Sequence, residues 1–205
     1  MKKTLSIILL CAFTFIAVSA QHFGLRAGGI ISNMKMKTDP IELDTKIKPG
    51  FFAGAVVEFP LNETMAINTS VNFKSIGTWI HEGQDITVMR LNYIDLNVTY
   101  EYIFTLGDVE FYGQGGGYVG YAVNGKTIYK PEDGDKDEDK IDIGTSDEDE
   151  IKPIDGGFII GAGVYFGKIK LGLAFHHGLA NVSNIGDWTA RHRAGVANFT
   201  YFFNR

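Results

Sequence analysis

The chain has 205 residues, of which 45% are hydrophobic and 13% aromatic, with 25 glycines, 5 prolines and a single cysteine. This composition suits one folded domain and excludes a disordered protein. The formal net charge is −5, and the acidity is concentrated between Lys130 and Lys152, where eleven acidic residues stand against four lysines. Apart from this segment and the two lysines of residues 1–20, the chain is formally neutral, so the sequence shows no nucleic-acid-binding surface.

Residues 1–20 have the pattern of a secretory signal peptide. Two lysines precede the apolar run Leu5–Val18, and Val18-Ser19-Ala20 offers small residues for cleavage before Gln21. The alternative, a single spanning helix, needs a longer apolar run. Cys11 lies inside the run, so we expect a mature chain without cysteine. We expect export through this cleaved signal, followed by one domain over residues 21–205.

After residue 20, apolar and polar residues alternate with the period of two that is typical of β-strands. Eight such segments are separated by connections that run long, short, long, short, long, short, long. The predicted strands are Phe23–Ile31, Phe51–Phe59, Met65–Ser75, Leu91–Phe104, Val109–Val123, Gly156–Phe166, Ile169–Leu179 and a last strand near Ala197–Phe203. The predicted long connections are 33–49, 76–88, an acidic extracellular loop at about 125–153, and about ten residues before the last strand.

The segment Leu91–Phe104 indicates what kind of sheet these strands form. One column of alternate residues is apolar, namely Ile94, Leu96, Val98, Tyr100 and Tyr102, and the other is polar, namely Tyr93, Asp95, Asn97, Thr99 and Glu101. In a soluble β-sandwich the polar column would face water, whereas in a membrane barrel the apolar column faces lipid. The alternating connections and strands of about 11 residues favour the barrel. We therefore predict an all-β fold, an eight-stranded antiparallel up-and-down transmembrane β-barrel in the cell outer membrane with both termini periplasmic.

Four segments resemble those of a known family. They are Phe23–Gly28 after the signal, Leu91–Leu96 opening the fourth strand, Gly113–Gly120 in the fifth and Phe175–Asn181 leaving the seventh. Through them the chain resembles the PorT-type outer-membrane β-barrel proteins of Gram-negative bacteria over most of residues 21–205. The resemblance implies a small barrel. Because the namesake is linked to the secretion of virulence proteins, it also implies an accessory role in secretion.

Charged residues at inward positions predict a polar network in the lumen. The candidate members are Arg26, Glu58, Lys74, Asp95, Glu101, Glu110, Lys170 and His176. An eight-stranded barrel is just wide enough for its own side chains to fill it, and buried charges need partners. We expect these residues to pair and to plug the lumen. The alternative is a narrow polar pathway, for which small inward glycines would leave room.

Two further features suggest chemistry that we do not expect. His176, His177 and Ser183 could suggest a lipid-modifying hydrolase, but the two histidines face opposite sides of a strand and Ser183 lies in the following connection. The acidic run from Asp133 lacks the Gly and Glu spacing of a calcium-binding EF-hand. We therefore predict no enzyme activity, no metal site and no cofactor, with a solvated, mobile external loop.

Taken together, these patterns predict a non-enzymatic outer-membrane protein that serves envelope structure, surface interaction or secretion. A small pore is the alternative function. The expected partners are outer-membrane lipids and lipopolysaccharide, secretion-system or surface proteins, and the barrel-assembly machinery, which reads an aromatic last strand such as Phe199–Phe203. No nucleic acid is expected, and the barrel is predicted to be a monomer.

Overall fold

The structure, a computed structural model, describes residues 21–43, 45–82, 85–131, 135–146 and 149–205. The predicted signal peptide, residues 1–20, lies outside these ranges. The described part of the chain forms ten strands: β1 (His22–Thr38), β2 (Ile41–Glu42), β3 (Thr45–Asn62), β4 (Met65–Glu82), β5 (Asp85–Leu106), β6 (Val109–Lys130), β7 (Asp137–Lys140), β8 (Ile154–Phe166), β9 (Ile169–Gly178) and β10 (Thr189–Phe202).

Eight of these strands close into an antiparallel ring. Their order is β1-β3-β4-β5-β6-β8-β9-β10, and β10 pairs again with β1 from Gly24–Phe202 to Lys37–Thr189. The short β2 adds to β1, and β7 adds to β6, outside the ring. Closure leaves the ring without a free edge, so its backbone groups are paired within the sheet, as a membrane requires. The predicted eight-stranded barrel is confirmed.

The faces of β5 show that this barrel is inside out compared with a soluble protein. Its outward column is about half exposed, from Tyr100 at 45% to Tyr102 at 51%, although all five residues are apolar or aromatic. Its inward column is buried, including Asp95 at 2% and Glu101 at 0%. Apolar residues outside and acids inside fit a sheet whose outer face contacts lipid.

The two ends of the barrel differ. At one end, here called the turn end, tight turns at 63–64, 107–108 and 167–168 join successive strands. Gly107 and Gly167 adopt positive φ values of 65° and 57°, which favour glycine. Both described termini also lie there, since the Phe23 amide donates a 2.8 Å hydrogen bond to Asn204 Oδ1. The opposite end is called the loop end.

At the loop end the strands are longer than predicted. The segments 33–49 and 76–88 were predicted to be connections, yet β1 and β3 continue to Thr38 and from Thr45, and β4 and β5 continue to Glu82 and from Asp85. The acidic loop begins at residue 131 rather than about 125, because β6 runs to Lys130. The predictions were wrong because strands beyond the lipid keep their backbone pairing but lose the strict alternation of side chains. Among the described residues, no helix is long and apolar enough to cross a membrane.

Candidate functional site: the lumen and its two ends

A charged layer fills the lumen near the turn end. Lys170 of β9 forms an ion pair with Glu101 of β5, and both side chains are buried. The Tyr165 hydroxyl of β8 lies 2.7 Å from Glu101 Oε2 and 2.5 Å from Glu58 Oε2 of β3. The Lys170 ammonium also lies 4.3 Å from the ring centroid of Tyr112. Inward residues of five separate strands therefore meet in one layer and connect opposite sides of the ring.

Arg205 closes the turn end beside this layer. Its Nη2 lies 2.9 Å from Glu110 Oε2, and its Nε lies 3.5 Å from Glu58 Oε1. The guanidinium carbon is 3.9 Å from the ring centroid of Tyr165. From the other terminus, His22 Nδ1 lies 2.9 Å from Glu58 Oε1. Side chains from both ends of the described chain therefore converge on one buried carboxylate.

A second charged layer lies midway along the lumen. Lys74 Nζ is 3.0 Å from Asp95 Oδ2, and Asn72 Nδ2 donates a 3.0 Å hydrogen bond to Asp95 Oδ1. The ammonium lies 4.5 Å from the ring centroid of Tyr118 and 5.3 Å from that of Tyr93. Ionic, amide and aromatic contacts thus enclose this lysine, which matches the need of a buried charge for partners.

A small cavity with both polar and apolar walls adjoins this middle layer. It has a volume of about 20 Å³, and its lining includes Arg26, Asp155, His176 and His192. Several lining atoms have no protein hydrogen-bond partner among the described residues: Arg26 Nε, Asn72 Oδ1, Asn97 Oδ1, Asp155 Oδ1 and His192 Nδ1. A polar space of this size holds about one water molecule. It is too small for a substrate.

The loop end is closed by an apolar plug that the acidic segment supplies. Ile141 and Ile151 are 1% and 2% exposed and pack in one cluster with Leu91 and Tyr93. The Ile141 amide donates a 3.1 Å hydrogen bond to the carbonyl of Gly125 in β6. The acidic segment therefore folds back over the barrel mouth, and its two isoleucines fasten it there.

The sequence of this closed eight-stranded ring matches the family described as outer membrane protein beta-barrel domain over residues 19–184. The chain belongs to this family. It is therefore an outer-membrane protein, and in such barrels the short turns face the periplasm. By this rule we assign the turn end of the barrel domain, with both described termini, to the periplasmic side.

Solved outer-membrane barrels share the fold of this barrel domain. Neisserial surface protein A is 12% identical, with 90% of this chain and 100% of that chain covered and a TM-score of 0.52. OprG from Pseudomonas aeruginosa is 13% identical, with coverage of 91% and 97% and a TM-score of 0.51. No curated protein matches the sequence.

The structure places the eight residues of the predicted lumen network in different surroundings. Lys74 with Asp95, and Lys170 with Glu101, form the two buried ion pairs. Arg26 donates a 3.0 Å hydrogen bond to Ser70, where a carboxylate partner was expected, and lies 5.2 Å from the Phe52 ring centroid. Of the other three predicted residues, Glu58 accepts a hydrogen bond from Tyr165, and Glu110 lies at the periplasmic rim beside Arg205. His176 lines the central cavity.

Several residues of the lumen were missed from the sequence. They are Asp155, Tyr165, His192 and Arg205. Tyr165 lies within the predicted strand Gly156–Phe166, on the face opposite Phe166, so alternation alone marks it as inward. Asp155 lies just before the predicted start of that strand, whereas β8 begins at Ile154. His192 was missed because β10 was predicted to begin later than Thr189. Arg205 follows the last strand, where alternation carries no information.

Described residues of the acidic segment pair with the barrel. β7 pairs with β6, and Lys126 Nζ lies 2.7 Å from Glu138 Oε2. This hydrogen bond from Lys126 lowers the pKa of the exposed Glu138 carboxyl. Within the described ranges, no group of three or more His, Cys, Asp or Glu residues could hold a metal ion.

Proposed function

We propose that this protein is a closed, non-enzymatic barrel that acts through its external surface, in envelope structure or in interaction with surface proteins. The observation that carries the proposal is the filled lumen. Two ion-paired layers and an apolar plug lie in series between the periplasmic and external ends. A solute would have to break buried charge pairs to pass, which is costly. A small pore is therefore disfavoured.

Planar bilayer recordings with the refolded protein test the closed lumen. We expect no steady openings, because each layer is held by contacts between separate strands. A variant with Ile141→Ser and Ile151→Ser weakens only the plug, and it should also stay closed because both ionic layers remain. Steady, ohmic openings of the unmodified protein would overturn the proposal in favour of a small pore.

The arrangement of histidines and serines supports a non-enzymatic role. His176 lines the closed central cavity, while His177 faces outward beside Phe158, with ring centroids 5.1 Å apart. Ser183 lies at the loop end, where its backbone bridges to Ile151. In the described part of the chain, no hydroxyl of Ser or Thr is hydrogen-bonded to a histidine. Mass spectrometry of lipid A from cells that carry His176→Ala should show unchanged acylation, and a change would contradict this role.

The external surface is the part of the molecule that is available to partners. At the external end, β4, β5 and β6 extend beyond the apolar band, and the described part of the acidic segment lies over the mouth. The resemblance to PorT-type proteins supports an accessory role in secretion as one form of such interaction. We expect a photo-cross-linker at Lys136 in the acidic segment to give adducts with envelope proteins in intact cells. The matched control places it at Lys168 on the periplasmic turn, and identical adducts from both positions would contradict a loop-end contact.

A further inference from the structure

Two charged side chains in the lumen have no ionic partner. Arg26 of β1 donates a 3.0 Å hydrogen bond from Nη1 to Ser70 Oγ, but its buried Nε has no hydrogen-bond acceptor. Asp155 of β8 is 0% exposed and accepts a 3.2 Å hydrogen bond from the Tyr118 hydroxyl, but its Oδ1 has no donor. Among the described residues, no oppositely charged group lies within ion-pair distance of either side chain. Both line the central cavity, so a ligand in that cavity can supply the partner that each buried charge needs.

The unpaired atoms around this cavity include both acceptors and donors of hydrogen bonds. Three side-chain oxygens can only accept, namely Asn72 Oδ1, Asn97 Oδ1 and Asp155 Oδ1, whereas Arg26 Nε can only donate. His192 Nδ1 is a second donor. The buried Tyr93 hydroxyl lies 3.2 Å from His192 Nε2 and donates to it, which leaves the proton of the neutral ring on Nδ1. The described lining therefore offers a ligand two donors and three acceptors.

The cavity suits a neutral ligand that can both donate and accept hydrogen bonds. Its charged lining residues are Arg26, Lys74, Asp95 and Asp155, whose charges sum to zero. A bound anion would face the three unpaired acceptors, and a bound cation would face the two donors. A water molecule does both, and a buried water typically makes about three hydrogen bonds. The volume of about 20 Å³ also exceeds the roughly 10–15 Å³ that one water needs.

We propose that the central cavity binds one long-lived water molecule, which joins Arg26 to Asp155 in place of a direct ion pair. The water accepts a hydrogen bond from Arg26 Nε and donates one to Asp155 Oδ1. Because β9 and β10 separate β8 from β1 in the ring, this link spans the lumen. The neighbouring ion pair of Lys74 with Asp95 instead joins two adjacent strands, β4 and β5. The water therefore connects strands on different sides of the lumen at the middle layer.

The remaining walls of the cavity are apolar and hold the water on its polar side. They include Ile30, Phe52, Ile76 and Ala194. These side chains offer no hydrogen bonds, so the water is bound where the unpaired polar atoms lie. The apolar plug lies on the external side of the cavity, and the layer of Lys170 with Glu101 lies on its periplasmic side. Exchange of the water with solvent is therefore slow, because it requires these contacts to open.

NMR cross-relaxation between water and the refolded, ¹⁵N-labelled protein in detergent micelles tests the site directly. We expect laboratory-frame cross-peaks with water at the Asn97 side-chain amide and at the Arg26 Nε–H, with the sign that long-lived water gives. Rotating-frame spectra separate these cross-peaks from proton exchange. The two resonances should not shift when sodium chloride is replaced by potassium nitrate. The absence of cross-peaks at both groups, the sign that rapidly exchanging surface water gives, or a shift that depends on the salt would each overturn the proposal.

A cavity-filling substitution distinguishes a hydrated cavity from a dry one. Ala194→Val adds two methyl groups at the cavity wall. We expect it to abolish the cross-peaks and to lower the folding equilibrium constant at least about tenfold, because buried polar atoms lose a partner. In a dry cavity the same methyl groups would fill a void and raise the stability. A gain in stability from Ala194→Val would therefore contradict a bound water.

The matched control is Ala122→Val, which enlarges a buried alanine that does not line the cavity. The water cross-peaks should persist in this variant, and its change in stability measures the cost of a larger side chain alone. Heat-modifiable gel migration confirms that both variants are folded. Equal effects of the two valines on the cross-peaks would count against the assigned site.

A double-mutant cycle tests whether the water joins Arg26 to Asp155. Either Arg26→Gln or Asp155→Asn breaks a link that needs both ends, so the two effects should not multiply. We expect the folding equilibrium constant of the double variant to be at least about tenfold higher than the product of the single effects predicts. The control cycle combines Asp155→Asn with Lys126→Met, whose effects should multiply because Lys126 lies in a separate, exposed ion pair. Multiplied effects in the first cycle, or equal coupling in both cycles, would overturn the link.

Discussion

The ion pair of Lys170 with Glu101 should control the stability of the periplasmic half of the barrel. Replacing Lys170 with Met keeps the length and apolar stem of the side chain but removes its charge. Glu101 is 0% exposed, so the substitution leaves a buried carboxylate whose remaining described hydrogen bond is from Tyr165. Breaking one partner of a buried pair costs about 3–5 kcal/mol. We expect about 3 kcal/mol here, since the Tyr165 hydroxyl still solvates the carboxylate.

The assay is reversible unfolding in guanidinium of the protein folded into lipid vesicles, followed by heat-modifiable gel migration. A loss of about 3 kcal/mol lowers the folding equilibrium constant by roughly a hundredfold. The matched control is Lys126→Met, which breaks the exposed pair with Glu138 and should cost no more than about 1 kcal/mol. Adding Glu101→Gln to Lys170→Met should recover most of the loss, because no buried charge remains unpaired. Equal losses for the two lysine variants, or no recovery in the double variant, would refute the reasoning.

Three further outcomes follow from the structure. Tyr165→Phe removes the hydroxyl that bridges Glu58 and Glu101, and it should lower the free energy of unfolding by about 1–3 kcal/mol, measured in the same titration; no change would mean that the bridge is not formed. Ile151→Asp puts a charge into the plug, so we expect limited proteolysis to cut the acidic segment while the barrel stays heat-modifiable, and continued protection would contradict the plug. Calorimetric titration with calcium should show no site tighter than millimolar, and a micromolar site would contradict the predicted absence of a metal site.

The barrel could be predicted because its period-two pattern is strict wherever the strands cross lipid. On β5 the polar side chains of Asp95 and Glu101 alternate with apolar ones, and the opposite surroundings of lipid and lumen impose that alternation. Beyond the lipid the constraint is weaker. The sequence around Ile76–Glu82 therefore looked like a connection, although β4 continues through it. How far the strands extend there depends on backbone pairing within the hairpin. The periodicity of the sequence does not predict that pairing.

Which charges would meet in the lumen was harder to predict than which residues face it. The alternation of side chains along each strand places Arg26, Lys74 and Lys170 inward. Which residues they contact depends on the stagger between strands, and hence on the register of the whole ring. Lys74 and Asp95 are not directly opposite each other, since Asp95 pairs with Asn72 in the β4–β5 register. The diagonal reach of a lysine side chain makes that pair. Arg205 forms ion pairs with Glu58 and Glu110, but it follows the last strand. Neither side-chain alternation nor strand register predicts its position there.

The filled lumen also limits which parts of the barrel can have a functional role other than folding. Buried ion pairs contribute little net stability compared with apolar packing, but breaking one is costly, so the lumen favours one arrangement of the strands over others. The apolar outer face contributes to stability through lipid. Substitutions in the lumen should therefore first alter folding, whereas substitutions on the acidic segment and on the external ends of β4, β5 and β6 leave the buried layers intact. Changes in function without loss of the barrel should for this reason come from the external end.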